Sequence, residues 1–575
     1  MFERVGEREE AILAWRAVLG RRPADAEAWE RAHALVVATG DDGALDELLT
    51  AALEAETAGP RRVTLLLERA DLRARTRRRN AARGDYRAAL DLDPTNADCL
   101  RRLGALLDED GDRAGAIEVL ERLVDVGAGD DLHMVLLWLA RLHEAAGGGA
   151  AAVRHLERAV AMRPGDVESR DRLVALHLAL GQPAAAAAEL ARRVEAATGA
   201  ERVTLELRLA ELYLTAVDDE PAARNALVRA VERDPLNVGA LSRLLPLLGA
   251  PADATLRDRL LARSAIEARV AIDRAPTASE PYAVLERVLL WRRDDDGAAL
   301  AAQAAALAAG RPSAPRDGER EPTRELSAAS WDVLLGVAAH GAEMEIWRAA
   351  REAANRLLGP ELGQLGVDKS DRQNAKGIAL AWIPADKIAR SMCAGAYELY
   401  RSPLAREAAR VVDGALILGS AHAERLTPAA RFRVARGAVL LRDRIGPLDS
   451  IEPAELELFF AACARVAGTS LAVPSRPPEA KIEERARAIG KVLDRKERKA
   501  LGALAPRFDE VTDPAAWRRA VRLAAAGAGL AVCGDLGAAL AELGADLDSD
   551  EGRALARLAV SEELAALRRE LGLRA

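Results

Sequence analysis

Apolar side chains recur at intervals of three and four residues through the first half of the chain. Leu100, Leu103 and Leu107 show this spacing, and residues 116–123 repeat it after a polar turn at 109–112. Such spacing places the apolar side chains on one stripe of an α-helix. The pattern therefore predicts two helices joined by a short turn, a hairpin of about 34 residues.

The hairpins follow a longer period that prolines mark. The tripeptide Pro-x-(Asp/Asn) occurs four times, with its prolines 71, 70 and 71 residues apart: Pro23, Pro94, Pro164 and Pro235. A second series keeps the 70-residue period out of phase with the prolines: Ala70, Ala140 and Ala210. Proline ends a helix because it lacks an N–H group and clashes with the preceding turn. The Asp or Asn that follows can accept hydrogen bonds from the free backbone donors of the next helix.

These features resemble the tetratricopeptide repeat (TPR), in which small residues recur at helix contacts and a proline ends the second helix. The matching residues are Trp29, Gly104, Ala140, then Ala82, Tyr86 and Ala89 before Pro94, and Ala223, Leu227 and Ala230 before Pro235. The resemblance covers residues 1 to 309 and implies stacked hairpins that form a superhelix with a concave groove. It also implies partner contacts on the first helices, at or near Asp71, Arg75, Arg101, Asp108, Arg141 and Glu211.

The chain opens on what the repeat phase identifies as a second helix, without a first helix before it. Its apolar face surrounds Ile12, Trp15 and Leu19. Three interpretations are open at this point. In the first, packing on the next hairpin covers this face. In the second, the array continues upstream in a longer product. In the third, the face contacts another chain, including by self-association.

A change of composition predicts a domain boundary after the repeats. Residues 310–327 combine three prolines with alternating charges and no apolar periodicity, which is typical of a linker. All seven lysines lie at or after Lys369. The predicted organisation is a repeat array over 1–309, a linker over 310–327 and a C-terminal domain over 328–575.

The C-terminal domain is predicted to be α-rich with a small β element. Two short strands are expected at 397–400 and 411–418. Helices are expected at 329–358, 380–396, 427–443, 452–467, 478–502, 513–531 and 549–571. The fold class is therefore mainly all-α, a TPR-like α-solenoid followed by an α-rich globular domain.

One part of this domain resembles the gluzincin metallopeptidases of the prenyl-protease and heat-shock-protease type. The resemblance lies in the order of a strand, a capped helix start at 426–431 and an apolar helix. The family's HExxH motif and its later ExxAD-like motif would fall at 436–440 and 522–526, which begin with Arg436 and Arg522. Because guanidinium cannot ligate zinc, the resemblance implies a pseudopeptidase. An unrelated helical domain is the alternative.

Composition excludes several classes of partner. The 82 basic and 90 acidic residues give a net charge of −8, so neither nucleic acid nor a membrane surface is expected to bind. No apolar run reaches the ~18 residues of a membrane span, and the first dozen residues are too charged for a secretory signal. We therefore expect a cytoplasmic protein with reduced thiols at its widely spaced cysteines: Cys99, Cys463, Cys533 and Cys393.

Catalytic motifs are missing from the sequence. His143-Glu144 is the single His-Glu pair, and Gly147 stands where HExxH requires its second histidine. Three further repeat histidines, His133, His155 and His177, show no ligand spacing and are expected to be structural or exposed. A glycine cluster at 527–534 lacks the strand and Lys of a phosphate loop.

The sequence thus predicts no enzyme, no cofactor and no metal, but a non-catalytic scaffold or adaptor that binds a protein or peptide. Two alternatives stay open: hydrolase activity in the C-terminal domain, and a structural subunit of a larger assembly.

Overall fold

A computed structural model describes residues 8–316, 321–336, 340–373, 380–392, 396–402, 406–424 and 426–573. The chain divides into two compact units, Met1–Ala230 and Val231–Ala575. The first unit is built from helices that pair as hairpins, and its boundary falls inside the last of them, α13: α1 Arg8–Arg21, α2 Ala26–Thr39, α3 Asp42–Ala55, α4 Pro60–Arg75, α5 Arg79–Leu92, α6 Ala97–Glu109, α7 Arg113–Val126, α8 Leu132–Ala145, α9 Gly149–Met162, α10 Val167–Ala179, α11 Pro183–Ala196, α12 Gly199–Leu212 and α13 Glu220–Arg233. The even-numbered helices from α2 to α12 are the first helices of hairpins, and the helix that follows each is its second helix.

The polar residue after each marker proline caps the next helix, as the sequence predicts. The side chains of Asp25, Asn96, Asp166 and Asn237 each accept a hydrogen bond from the backbone N–H three residues later, at 2.9–3.2 Å. These caps satisfy donors that have no partner within the helix. Each hairpin therefore begins at a position fixed by local chemistry.

Small side chains lie where helices touch. Ala70, Ala82 and Ala140 are fully buried, and a Cβ on Gly104 would stand 2.8 Å from Cδ2 of Leu120. Helices that follow one another along the chain pack together from α1 to α12. The predicted repeat of stacked helix pairs is therefore confirmed.

The apolar face of α1 packs on the hairpins that follow it. Ile12, Trp15 and Leu19 are half-buried against the same core as the next helices, and Ala11 is buried. This favours the interpretation in which neighbouring hairpins cover the face. A contact of α1 with another chain stays a prediction.

The second unit holds the remaining helices and one sheet. Its helices are α14 Val238–Leu244, α15 Ala254–Arg274, α16 Ser279–Trp291, α17 Asp295–Ala308, α18 Ala328–Leu335, α19 Ala342–Leu358, α20 Ile383–Met392, α21 Ala421–Glu424, α22 Pro428–Arg442, α23 Pro453–Ala467, α24 Glu479–Val492, α25 Arg495–Ala503, α26 Pro514–Cys533, α27 Leu536–Leu543, α28 Asp550–Ala559 and α29 Glu562–Glu570. The strands are β1 Arg372–Gln373, β2 Glu398–Ser402, β3 Ala409–Val412 and β4 Ala415–Gly419. Their order is β1-β2-β4-β3, with β2 and β4 parallel and the outer pairs antiparallel. The mainly α fold with a small β element is thereby confirmed.

Local turns divide several elements that the sequence presents as continuous. The apolar run 411–418 is two strands, because Asp413 and Gly414 form a turn in which Gly414 has φ +70°. The predicted helix 478–502 breaks before Asp494, whose side chain caps α25. The predicted helix 549–571 breaks before Ser561, which caps α29. The short helix α27 has no counterpart among the predicted elements.

The boundary between the compact units differs from the boundary that composition indicates. Gln303 on α17 accepts a hydrogen bond from the backbone N–H of Leu536 at 2.9 Å, and the backbone N–H of Arg316 donates to Asp535 at 2.8 Å. The last hairpin and the start of the predicted linker therefore pack on C-terminal helices. Composition identifies a polar segment but not the surface against which it lies. Residues 317–320 of the predicted linker are outside the described residues.

Candidate functional site

Hydrogen-bonded charges link the first helices of consecutive hairpins. Asp108 on α6 accepts a hydrogen bond from Nε1 of Trp138 on α8 at 2.7 Å and another from Arg141 on the same helix. Asp71 on α4 pairs in the same way with Arg102 on α6. The partners are about one repeat apart in sequence, so stacking of hairpins brings them side by side.

The other predicted groove residues also have partners close by. Arg75 binds Asp42 on α3 at 2.5 Å. Arg101 contacts Asp98 at 3.0 Å and Asp131 at 3.5 Å. The six predicted residues therefore lie on α4, α6, α8 and α12 rather than in one pocket, and at least five of them are in ion pairs within the array. Glu211 is exposed on α12. Partner binding by these residues stays a prediction.

The sequence analysis did not identify three exposed apolar side chains that stand on three consecutive first-helix segments. Met134 on α8 is 59 % exposed, Leu178 on α10 is 40 % exposed, and Leu214 is 38 % exposed in the π-helical turn Tyr213–Val217 that continues α12. We call these three residues the apolar row. Met134 lies seven residues before Arg141, and Leu214 lies three residues after Glu211, which places each pair on one helix face. Met134 lies near the start of α8, whereas Leu178 and Leu214 lie at the ends of α10 and α12. Met134 and Leu214 therefore each share a helix face with a predicted groove residue.

A second group joins three helices of two hairpins. Oε1 of Glu121 on α7 lies 2.9 Å from Nε2 of His155 on α9 and 3.6 Å from Nε2 of His143 on α8. The two imidazole rings stack with centroids 5.3 Å apart and an interplanar angle of 14°. We call these three residues the histidine cluster. The sequence analysis missed the cluster because it sought ligand spacing within one helix; the available signal was the 34-residue separation of Glu121 and His155, one repeat length.

Two further repeat histidines, His133 and His177, have structural partners. His133 lies 3.4 Å from Asp166, and Nδ1 of His177 lies 2.9 Å from the side-chain oxygen of Gln182. Both imidazoles are buried. Of the two roles expected for these histidines, structural or exposed, their burial and contacts favour the structural one.

Three of the four cysteines are buried and are not in disulfide bonds: Cys99, Cys463 and Cys533. Burial raises the pKa of the Cys99 thiol to about 12 and also raises the pKa of Cys463. These two thiols are therefore protonated and unreactive at neutral pH. Cys393 lies outside the described residues.

The two helices in which the gluzincin motifs would fall, α22 and α26, pack closely on each other. Thr427 caps α22 as predicted, and α22 lies along α26. A Cβ on Gly529 would stand 2.6 Å from the ring of Phe432. The glycines are thus needed for close packing inside α26 and do not form a phosphate loop. The Arg436 guanidinium, where the resemblance places the first ligand, pairs with Asp449.

Comparisons with known proteins find similarity to solved structures alone. No family model matches the chain, and no curated protein matches it. A TPR protein from Parabacteroides merdae is 19 % identical over 43 % of this chain and 94 % of its own, with a TM-score of 0.23. YrrB, a TPR protein with an unusual peptide-binding site, is 19 % identical over 34 % of this chain and 98 % of its own, with a TM-score of 0.24. The TPR2AB domain of yeast Sti1, solved as a complex with pHSP90, is 16 % identical over 44 % of this chain and 92 % of its own, with a TM-score of 0.23.

The hairpin order and packing of the chain itself establish the helical repeat. Within the described residues, no helix combines the length and the apolar character that crossing a bilayer requires.

Proposed function

We propose that the repeat array is a protein-binding scaffold whose partner segment lies along the apolar row. The observation that carries this proposal is the exposure of Met134, Leu178 and Leu214 on three consecutive first-helix segments. Leu178 and Leu214 occupy corresponding positions at the ends of two consecutive first helices, and exposed large apolar side chains on neighbouring elements mark interaction surfaces. Methionine is also enriched in protein interfaces because its flexible side chain adapts to its contacts.

Charges beside the apolar row favour a partner segment that contains a carboxylate. The side chain of Arg141 is 59 % exposed although it pairs with Asp108. An exposed ion pair contributes ~0–1 kcal/mol, so a partner carboxylate can share the guanidinium at little cost. Glu211 lies beside the last member of the row and offers a negative charge there. The proposed ligand is therefore a segment with spaced apolar side chains and an acidic group toward Arg141.

A display experiment tests this surface directly. Random peptides are selected on the full chain, and the affinity of each selected peptide is then measured by fluorescence polarisation. A triple variant, Met134→Glu, Leu178→Glu and Leu214→Glu, is expected to bind at least about tenfold more weakly. The matched control replaces three exposed apolar residues at the ends of second helices, Leu92→Glu, Val126→Glu and Met162→Glu, and is expected to bind like the original chain. Equal binding by both triple variants contradicts the proposal.

The C-terminal part is proposed to be non-catalytic, in keeping with its gluzincin resemblance. The support is chemical: Arg436 and Arg522 occupy positions that would need metal ligands, and Arg436 is bound to Asp449. Hydrolysis of unfolded casein by the full chain is the test. Chelator-sensitive hydrolysis would instead favour the hydrolase alternative. We also propose a cytoplasmic location, supported by the burial of Cys99 and Cys463 without a disulfide.

A further inference from the structure

The histidine cluster has the separations of a metal-ligand set. One ligand atom from each of Glu121, His143 and His155 lies within 4.8 Å of the other two. A tetrahedral ion with bonds of about 2.0–2.1 Å separates its ligands by about 3.3 Å. The measured separations from Oε1 of Glu121, 2.9 and 3.6 Å, bracket that value. Three ligands from three helices thus converge around one point.

Polar atoms of the cluster lack partners although they are buried. Nε2 of His143 and Nδ1 of His155 have no hydrogen-bond partner among the described residues. The His155 side chain is 6 % exposed, and that of His143 is 16 % exposed. An unsatisfied buried polar atom costs about 1–3 kcal/mol. A cation bound at Nε2 of His143 would remove one such cost.

We infer that Glu121, His143 and His155 form a site for a divalent transition-metal ion, with Zn²⁺ as its representative. Two imidazoles and one carboxylate suit Zn²⁺, Co²⁺ or Ni²⁺ better than Mg²⁺ or Ca²⁺, which prefer oxygen ligands. The Glu121 side chain is 40 % exposed, so an ion can enter from solvent and keep a water as fourth ligand. The bound ion joins hairpin α6–α7 to hairpin α8–α9 and stabilises their contact.

Metal titration of the untagged full chain tests the inference. Zn²⁺ is titrated by calorimetry, and Co²⁺ is titrated while the visible d–d absorption of a tetrahedral site is recorded. One saturable equivalent of each ion is expected. The isosteric variant Glu121→Gln and the variant His143→Ala are each expected to weaken Zn²⁺ binding at least about tenfold and to remove the Co²⁺ spectrum.

The pair His33–Glu68 supplies a matched control. Nε2 of His33 lies 2.5 Å from Oε1 of Glu68 on the next first helix, but this pair is not part of a three-ligand group among the described residues. The variant His33→Ala is expected to bind Zn²⁺ like the original chain, with circular dichroism confirming that every variant is folded. Absence of saturable binding, or binding that folded Glu121→Gln and His143→Ala both retain, overturns the inference and leaves the Glu121–His155 contact as a structural hydrogen bond.

Discussion

Arg568 and Asp296 form a two-bond ion pair, with Nε to Oδ2 at 2.8 Å and Nη2 to Oδ1 at 2.9 Å. Arg568 is 1 % exposed, and its Nη1 also donates to the carbonyl oxygen of Ala531 at 2.6 Å. Arg316 adds a second cation to Asp296 at 2.9 Å. The pair therefore joins α29 to α17 inside the second compact unit.

Removal of Arg568 is expected to destabilise the second unit strongly. The variant Arg568→Leu leaves Asp296 buried without its principal partner, and breaking a buried pair costs about 3–5 kcal/mol. Urea unfolding combined with hydrogen exchange of α29 measures the change. The control Arg519→Ala breaks an exposed pair with Asp513 at 3.5 Å and is expected to cost less than about 1 kcal/mol. Equal losses in the two variants would contradict this account.

The same pair predicts an acid-dependent loss of stability. Burial by itself would raise the pKa of Asp296, but hydrogen bonds and charge from Arg568, together with Arg316, hold the pKa below its ordinary value of 3.8. A lowered pKa contributes stability above the unfolded-state pKa, and that contribution is lost as the pH falls through the folded-state pKa. The difference in unfolding free energy between the original chain and Asp296→Asn is therefore expected to be constant near neutral pH and to shrink below about pH 4. A difference that stays unchanged in acid would show that charge is not its source.

A buried pair inside one hairpin predicts a similar contrast in the first unit. Arg170 on α10 donates to Glu189 on α11 at 2.7 Å, and both side chains are at most 10 % exposed. The variant Arg170→Ala is expected to lower the unfolding free energy by about 3–5 kcal/mol. The variant Arg75→Ala, which breaks the exposed pair with Asp42, should change it by less than about 1 kcal/mol. Both values come from urea unfolding with hydrogen exchange of α10 and α4 as the local readout.

Where two repeat helices touch at a buried alanine, we expect no space for a larger side chain. Ala140 is fully buried on α8, so Ala140→Leu overpacks the contact and is expected to cost ~1–3 kcal/mol. Ala175 occupies an exposed position on α10, and Ala175→Leu is expected to be nearly neutral because alanine and leucine have similar helix propensities. Thermal unfolding compares the two. An Ala140→Leu variant as stable as Ala175→Leu would refute the close helix contact.

The contact of Gly529 with Phe432 predicts opposite effects for two Gly→Ala changes. A Cβ at residue 529 meets the buried ring at 2.6 Å, so Gly529→Ala is expected to destabilise the second unit by about 1–3 kcal/mol. Gly490 on α24 has open space around its Cα, and Gly490→Ala is expected to stabilise the unit by about 0.4–1 kcal/mol. Thermal unfolding gives the sign of each change. A stabilising Gly529→Ala would show that α26 and α22 do not pack as described.

Much of the repeat fold follows from local chemistry. The local features are the marker prolines, the caps Asp25 and Asn96, and the buried Ala70 and Ala140. Each acts within a few residues or recurs at a fixed period, so a single sequence is enough to identify it. The strand pair β3–β4 and the breaks before α25 and α29 were harder to predict. There a single cap or turn residue interrupts an otherwise continuous apolar pattern.

The sequence by itself determined the period of the repeat, the ends of its helices and the small residues at their contacts, because those depend on neighbours along the chain. Only the tertiary structure decided which charges and imidazoles meet. Glu121 and His155 are 34 residues apart in sequence, and Arg568 lies 272 residues from Asp296. Their meeting depends on how helices stack and on which surface the last helices cover, and burial then gives these contacts their energetic weight.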